Sequence, residues 1–289
     1  MEPCAGGMRV GMSRDELRHL VRRTLTALSQ TGALPSLPAT GRAVLALARE
    51  PMVDADRVAG LVGTDVGLAA RVLRLANPGR VTSVHALPEA IAVAGVRRTC
   101  EVVAAAAARE LYAPADAQVQ ALWKHALATA IAAEELARVT GRVPQGHGFL
   151  PGLFHDVGRI AFLLTDGMSF DVISHLVATG QGDALDLERE WYGFTHAEAG
   201  AVLAEDWGLA PAQCDAIRWH HAPTDATQGR ELAAVLEVAD RVAHQAGLGA
   251  GPGRPPAASL GSIGLSAADA AACTAHVQRA LVEQRAFLE

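Results

Sequence analysis

Hydrophobic residues recur along this chain at the spacing of three and four residues that is typical of amphipathic helices. In the segment TDVGLAARVLRLAN, for example, Leu68, Val72 and Leu75 fall on one face of a helix. No segment shows a convincing alternation of apolar and polar residues, which would indicate a strand. The pattern therefore predicts an all-α fold.

Capping residues and helix breakers set the bounds of these helices. Capping boxes begin helices at Ser13 and Thr195, Thr64 and Ser266 can cap two more, and Pro211 suits the first position of another. The apolar patterns predict helices over residues 13–32, 38–50, 54–63, 64–76, a stretch up to 112, 116–140, 149–164, 171–179, 195–207, 211–221, 230–247 and 266–288.

Prolines and glycines divide the helices into two groups. Residues 1–12 are expected to be a flexible tail, and Pro114 marks a boundary between an N-terminal lobe, 13–113, and a second lobe, 114–247. A loop rich in glycine and proline, 248–265, then leads to a C-terminal helix, 266–289. The chain is therefore predicted to form two packed helical lobes.

Composition supports a core of this size and narrows the class of protein. The chain has 289 residues, of which 50% are hydrophobic, and a net charge of -6 with a pI near 6.0. We therefore expect no nucleic-acid binding, because basic residues cluster only at Arg18, Arg22 and Arg23 and at Arg97 and Arg98.

The cysteines and the apolar runs indicate the compartment. Four cysteines lie far apart and form no CxxC pair, which is typical of a reduced protein with inert thiols. The N-terminal segment lacks the apolar core of a signal peptide, and no run approaches the ~18 apolar residues of a membrane span. We expect a cytoplasmic protein with no membrane partner.

A His–Asp pair stands out in the segment LPGLFHDVGRIAFLL. This predicted helix is apolar on all sides, so it should be buried, and His155 and Asp156 lie in its middle. A buried carboxylate costs several kcal/mol unless it is paired with a cation, a metal or hydrogen-bond donors. The pair must therefore have strong partners, and Arg159 is one candidate.

Five other side chains occupy helix positions from which they could serve this pair. His125 flanks the apolar stripe of the helix that opens the second lobe, and His196 lies in the first turn of its helix. His220 and His221 lie at a helix C-terminus, and Asp240 lies at the edge of the apolar stripe in LEVADRVAH. Imidazole and carboxylate suit Zn, Mn, Fe or Ni, and an aspartate can bridge two ions.

Each of these residues also has an ordinary structural explanation. A single histidine is usually a surface or core residue, as we expect for His19, His85, His175 and His276. The His220–His221 pair could simply end a helix, since histidine favours that end of the helix dipole. Spacing alone leaves both explanations open, and the metal site is favoured only by the joint order of His125, His155, Asp156, His196, His220, His221 and Asp240.

This order resembles the metal-ligand series of the HD superfamily, in particular its HD-GYP branch, and the chain is still more similar to the HDOD family, the HD-related output domain. The resemblance covers about residues 34–245 and is carried by LPSLPAT, TDVGLAARVLRLAN, AIAVAG before Val96-Arg97-Arg98, LWKHALATA, LPGLFHDVGRIAFLL, EREWYGFTHAEAGAVLAEDWGLAP and IRWHHAP. It implies an all-α fold of two helical lobes, the second built on an HD-type helical core.

The resemblance also implies one or two divalent metal ions. The implied ligands of a first ion are His125, His155, Asp156 and Asp240, and those of a second ion are His196, His220 and His221, with Asp156 bridging. Arg159 stands where the HD-GYP branch commonly has a lysine near phosphate, and a guanidinium could hold phosphate bidentately.

Two features separate this chain from HD-GYP enzymes. After the histidine pair that branch resembles HHExxDGxGYP, whereas this chain has HHAPTDATQGREL, with Ala222 in place of the glutamate and no GYP element. This argues against hydrolysis of cyclic di-GMP. HDOD proteins, moreover, are generally regulatory modules without established catalysis.

Two functions follow from the resemblance. The favoured one is a bacterial signal-transduction protein that keeps the metal site and binds a signalling protein partner or a nucleotide second messenger in the groove between its lobes. The alternative is a metal-dependent phosphohydrolase acting on a nucleotide or cyclic dinucleotide, in which Asp156 and Arg159 would be the catalytic residues.

Overall fold

The computed structural model describes residues 12–29, 35–50, 53–77, 84–112, 116–249 and 260–283, and within these ranges it contains helices and no strand. The all-α prediction is confirmed. Nearly all of the expected N-terminal tail and most of the loop at 248–265 lie outside the described residues. None of the described helices is both long enough and apolar enough to cross a membrane.

Most helices follow the predicted order, but the helix at Ala184–Tyr192 was not predicted, and the stretch predicted up to 112 forms two helices. The first half contains α1 (Arg14–Leu28), α2 (Ala39–Ala48), α3 (Ala55–Val62), α4 (Val66–Ala76), α5 (Leu87–Ala94), α6 (Val96–Arg109) and a 3-10 turn (Glu110–Tyr112). The second half contains α7 (Ala117–Thr140), α8 (Phe149–Phe154), α9 (Val157–Thr165), α10 (Gly167–Ala178), α11 (Ala184–Tyr192), α12 (His196–Asp206), α13 (Pro211–Arg218), α14 (Arg230–Ala243) and α15 (Ala267–Glu283), with short turns at Pro223–Asp225, His244–Leu248 and Gly261–Ile263.

The capping predictions hold at most helix starts. Ser13 and Thr195 form the expected capping boxes, and Pro211 lies in the first turn of α13. Ser266 accepts from the backbone N–H of Asp269 at 3.2 Å and donates its own backbone N–H to the Asp269 carboxylate at 2.9 Å. Local side-chain hydrogen bonds therefore fix where these helices begin.

Thr64, however, is not the cap of α4. The side chain of the next residue, Asp65, accepts from the backbone N–H of Leu68 at 3.0 Å. The Thr64 hydroxyl instead donates to the carbonyl oxygen of Leu61 at 2.7 Å, closing the preceding turn. Both residue types can cap a helix, so the sequence could not separate two adjacent candidates.

The single helix predicted over 149–164 is wrong, because the chain bends at His155 and Asp156. Asp156 has φ -102° and ψ 13°, which separates α8 from α9. The two short helices pack on different neighbours, α8 on α7 and α9 on α12. Glycines permit both contacts: a Cβ at Gly152 would lie 2.8 Å from the Cα of Ala130, and one at Gly158 would lie 2.0 Å from the carbonyl oxygen of His196.

Two clusters of buried apolar side chains lie under these helices. The smaller belongs to the first half and includes Val44, Val58, Val62, Val72, Ile91 and Val103. The larger is built mainly from the second half and includes Leu136, Leu153, Phe154, Ile160, Leu203, Ile217 and Leu236. The smaller cluster is thus confined to the first half, whereas the larger one also includes side chains of the first half.

Helix α1 belongs to the larger cluster, although it comes first in the chain. Its buried side chains Leu17 and Val21 lie in that cluster, and α1 packs on α9 and α12. Arg18 and Arg22 also form ion pairs with Asp206 at the end of α12. The division of the chain at residue 113 stays a prediction, while the packing joins α1 to the second half.

The described cysteines are inert in the way the composition indicates. Cys100, Cys214 and Cys273 are buried and free. Burial raises the pKa of the Cys100 thiol to about 11 and the pKa of the other two thiols to about 12. Cys4 lies outside the described residues.

Candidate metal centre

The seven side chains chosen from the sequence all meet between α7, the α8–α9 bend, α12, the end of α13, and α14. Their donor atoms form two sets, and within each set all donor atoms lie within 4.8 Å of one another. The first set is His125, His155 and Asp240, and the second is Asp156, His196, His220 and His221.

Asp156 lies between the two sets. Its Oδ1 is 3.2 Å from Nε2 of His196 and 3.9 Å from Nε2 of His220. Its Oδ2 is 3.7 Å from Nε2 of His125 and 3.6 Å from Nε2 of His155. The carboxylate thus presents one oxygen to each set, which is the arrangement that a bridging ligand needs. The bend between α8 and α9 is what brings it there.

The first set is compact. Nε2 of His125 lies 3.1 Å from Oδ1 of Asp240 and 3.3 Å from Nε2 of His155. Nε2 of His155 lies 3.9 Å from the same Asp240 oxygen. In the second set, Nε2 of His196 lies 3.0 Å from Nε2 of His221. The imidazole rings therefore turn the same nitrogen, Nε2, toward the centre.

The opposite nitrogens of three rings are held by backbone carbonyl oxygens. A carbonyl oxygen can only accept, so Nδ1 of each ring carries the proton and donates it. In a neutral ring, Nε2 is then left with a lone pair that faces the centre, as in many metal sites. The pairs are His125 with Leu248 (3.1 Å), His155 with Gly152 (2.9 Å) and His220 with Ile217 (2.7 Å).

Glu188 holds the fourth ring and is not among the residues predicted from the sequence. Its carboxylate lies 2.8 Å from Nδ1 of His196 and also accepts the backbone N–H of His196 at 2.7 Å. Burial alone would lower the pKa of His196, but attraction by Glu188 and Asp156 outweighs it and raises that pKa to about 10. The available signal in the sequence was an acidic residue on the buried side of α11. It was hard to recognise because the next two residues, Arg189 and Glu190, are charged and exposed.

His244 was also missed. It follows Asp240 by one helical turn, and its Nε2 lies 3.5 Å from Oδ1 of Asp240. Its ring centroid lies 5.1 Å from that of His125. The i, i+4 spacing between Asp240 and His244 was the available signal, since side chains at that spacing are neighbours on a helix.

The carboxylates of the centre are ionised. Burial opposes ionisation of Asp156, but His155, His196 and Arg159 hold its pKa well below its usual range. His125 and His155 likewise keep the pKa of Asp240 far below its usual range, against the effect of burial. Two negative charges thus face a cluster of imidazole nitrogens.

Two observations test whether this donor set fits a metal ion. Nε2 of His220 is buried and has no hydrogen-bond partner among the described residues, while burial and the neighbouring His155 and His196 lower its pKa to about 3. In addition, Nε2 of His125 and Nε2 of His155 face each other at 3.3 Å although both rings donate from Nδ1. Two lone pairs at that distance repel unless a proton or a metal cation lies between them. The residues present therefore fit a divalent metal.

One side of the centre is closed and the other is partly open. On the closed side, His125, His155, Asp156, His196 and His220 are buried. On the open side, the side chains of Arg159, Asp240 and His244 are 21%, 19% and 17% exposed. Nη1 of Arg159 lies 3.3 Å from Oδ2 of Asp156, at the edge where the centre meets solvent.

Comparison with known proteins agrees with this architecture. The chain is similar over 96% of its length to an HDOD domain protein of unknown function from Geobacter sulfurreducens, with a TM-score of 0.76, 25% identity and 98% of that chain covered. A Marinobacter aquaeolei VT8 structure, provisionally named a signal transduction protein, gives a TM-score of 0.75 at 21% identity and covers 98% of this chain and 66% of its own. A Shewanella amazonensis SB2B structure, provisionally named a phosphohydrolase, gives a TM-score of 0.66 at 23% identity. That match covers 93% of this chain and 95% of the Shewanella chain.

Sequence comparison gives the same family. An uncharacterised protein of Treponema pallidum (strain Nichols) is 25% identical over 192 residues, which are 65% of this chain and 37% of that protein. The chain thus matches little more than a third of the length of this curated relative. The family model of the HDOD domain matches residues 34–223, which are most of the chain. The chain belongs to the HDOD family.

Proposed function

We propose that this chain is a signal-transduction protein whose second half is organised around a bound divalent metal centre. The observation that carries the proposal is the double set of donors divided by Asp156. The donors come from α7, the α8–α9 bend, α12, the end of α13, and α14, and most of them are buried. A metal bound by such a set stabilises the fold by joining five elements.

Each set would hold one ion. His125, His155 and Asp240 would bind the first through Nε2 and Oδ1, and His196, His220 and His221 would bind the second. Asp156 would contribute to both. Nitrogen and oxygen donors in these numbers suit Fe, Mn, Zn or Ni.

Signal output would then occur through binding. Membership of the HDOD family supports a regulatory role. The burial of most donors supports a metal that stabilises the structure, because a catalytic metal needs an open coordination position. The binding partner in this proposal is a signalling protein or a nucleotide second messenger.

A phosphohydrolase is the second candidate, and the partly open edge favours it. A metal pair at this centre would supply Lewis-acid assistance to the attack of water on a phosphoester. Arg159 lies at that edge and could orient a phosphate. Asp156 would contribute one carboxylate oxygen to each of the two ions. The likeness to the Shewanella structure supports the fold of this candidate and not its activity.

Elemental analysis of the purified protein tests the metal centre. We expect one or two ions of Fe, Mn, Zn or Ni per chain. His220→Ala should lower the amount of metal bound by the second set, and Asp240→Ala should lower the amount bound by the first. His175 is an exposed histidine on α10, so His175→Ala should leave the metal content unchanged. A metal-free chain that also takes up none of these ions on reconstitution would contradict the proposal.

Thermal melting and a substrate panel separate the two candidates. For a stabilising centre, chelation should lower the melting temperature by roughly 5 °C or more, since the bound ion favours the folded state. An unchanged melting temperature would rule out that version. Turnover of a nucleotide or cyclic dinucleotide with Mn, Fe or Ni, lost in Asp156→Asn, would instead establish the phosphohydrolase.

A further inference from the structure

A cavity of about 480 Å³ lies between the two halves of the chain, outside the metal centre. Its walls come from α2 and α6 in the first half, and from the loop before α8, the start of α8, and the α12–α13 connection in the second. None of its lining residues belongs to either donor set. Its size is that of a small-molecule binding site.

The acidic side chains of the cavity wall are already paired. Glu50 forms an ion pair with Arg57, including a bond from Nη2 at 3.0 Å. Glu101 is buried and accepts from Nη1 of Arg98 at 3.3 Å. Burial raises the pKa of Glu101 to about 7, so at neutral pH its carboxyl is partly protonated. Negative charge in the wall is therefore largely neutralised.

The two arginines of the wall are not neutralised in this way. Nη1 of Arg49 donates to the carbonyl oxygen of Gly208 at 3.2 Å, and Nη1 of Arg97 donates to that of Gly146 at 3.4 Å. Neither guanidinium lies within 4.0 Å of a carboxylate of the described residues. Two positive charges therefore line the cavity without a direct ion pair, and the carboxyl group of Glu101 in the same wall attracts Arg97 only from a longer distance.

The rest of the wall includes apolar surface. Leu45, Leu150 and Leu209 line the cavity together with Ala48. Apolar walls with a few directed polar groups are typical of sites that hold an organic ligand. A guanidinium matches the oxygens of a phosphate, and a phosphate monoester carries between one and two negative charges at pH 7. The two arginines supply the opposite charge.

We propose that this cavity binds a small phosphate monoester with an apolar or ring-containing body, of the size of a nucleoside monophosphate. The ligand contacts both halves of the chain, since Arg49 and Arg97 belong to the first half and Leu150 and Leu209 to the second. The proposal goes beyond the metal centre and does not depend on it.

Calorimetric titration with AMP at pH 7 tests the proposal. AMP should bind, adenosine should bind at least tenfold more weakly, and added NaCl should weaken AMP binding. Arg49→Gln and Arg97→Gln should each lower the affinity roughly tenfold or more, as expected for loss of one charge-assisted hydrogen bond. Arg74→Gln, which removes an exposed arginine of α4 outside the cavity, should bind like the unmodified protein.

Three outcomes would overturn the proposal. The first is no binding of AMP at millimolar concentration. The second is equal binding of adenosine or of succinate, which would remove the role of the phosphate. The third is AMP binding that neither Arg49→Gln nor Arg97→Gln weakens, which would place the nucleotide elsewhere, including at the metal centre. Metal content measured on the same samples keeps this result separate from the test of the metal centre.

Discussion

The two halves of the chain differ in what they bury. The small cluster of the first half is apolar. Among the described residues of that half, the buried polar side chains are Thr99 and Glu101. The second half buries histidines and carboxylates together, among them His155, Asp156 and Glu188. A core tolerates such groups only when they satisfy one another or a metal. The comparison indicates that apolar packing holds the first half, whereas the second half also needs partners for its buried charged groups, which the proposed metal ion would supply.

The largest effect should come from removing the residue shared by both sets. Asp156→Asn takes away the charge that faces four histidines, so we expect loss of bound metal and about 3–5 kcal/mol of unfolding free energy. Denaturant titration and metal analysis measure both. Asp171→Asn, the same change at an exposed position of α10, is the control. A variant that keeps its metal would contradict the bridging role.

Removing a buried side chain from the apolar core of the first half should lower the stability of the protein without changing its metal content. Ile91 is fully buried in the small cluster, so Ile91→Ala should cost about 2–4 kcal/mol through lost burial and an unfilled space. Val93→Ala, at an exposed position of the same helix, should change little. If Ile91→Ala also lowered the metal content of the folded protein, the contrast between the two halves would fail.

Glu188 offers a test of how the second set is positioned. Glu188→Gln weakens the hydrogen bond to Nδ1 of His196, so the affinity of the second set for metal should fall by roughly 10- to 100-fold. Competition with a chromophoric chelator measures this change. The neighbouring Glu190→Gln alters an exposed side chain and should have no effect. Equal affinities in both variants would show that Glu188 does not orient the ring.

Much of this architecture could be predicted from the sequence. Helical periodicity and capping boxes predicted most of the helix order, although not α11. The joint order of His125 through Asp240 predicted the seven side chains that the structure brings together. The break at His155 and Asp156 could not be predicted, because it depends on the different neighbours of α8 and α9. Glu188 escaped for a similar reason, since its partner His196 lies on another helix.

The smallest effect should be a change in how the stability of the protein depends on pH, and it should come from Glu101 in the first half. Burial raises the pKa of Glu101 from 4.5 to about 7, so the folded state binds a proton that the unfolded state releases between these values. This contribution to stability is complete below pH 4.5 and is lost as the pH rises through 7.

A glutamine at position 101 has no such proton to lose. Relative to the unmodified protein, the unfolding free energy of Glu101→Gln should therefore rise by about 1 kcal/mol or more between pH 5 and pH 8. Urea titrations at both pH values measure the difference. Glu110→Gln, an exposed change just after α6, should show no such trend. A difference between Glu101→Gln and the unmodified protein that does not vary with pH would contradict the shifted pKa.

Anomalous diffraction from a crystal of the metal-loaded protein tests the central claim most directly. Data collected at the absorption edge of the bound metal should show a peak among Nε2 of His125, Nε2 of His155 and the Asp240 carboxylate. With both ions bound, a second peak should lie among His196, His220 and His221, on the other side of Asp156. An ordered centre with no anomalous peak beside either Asp156 oxygen would contradict the account.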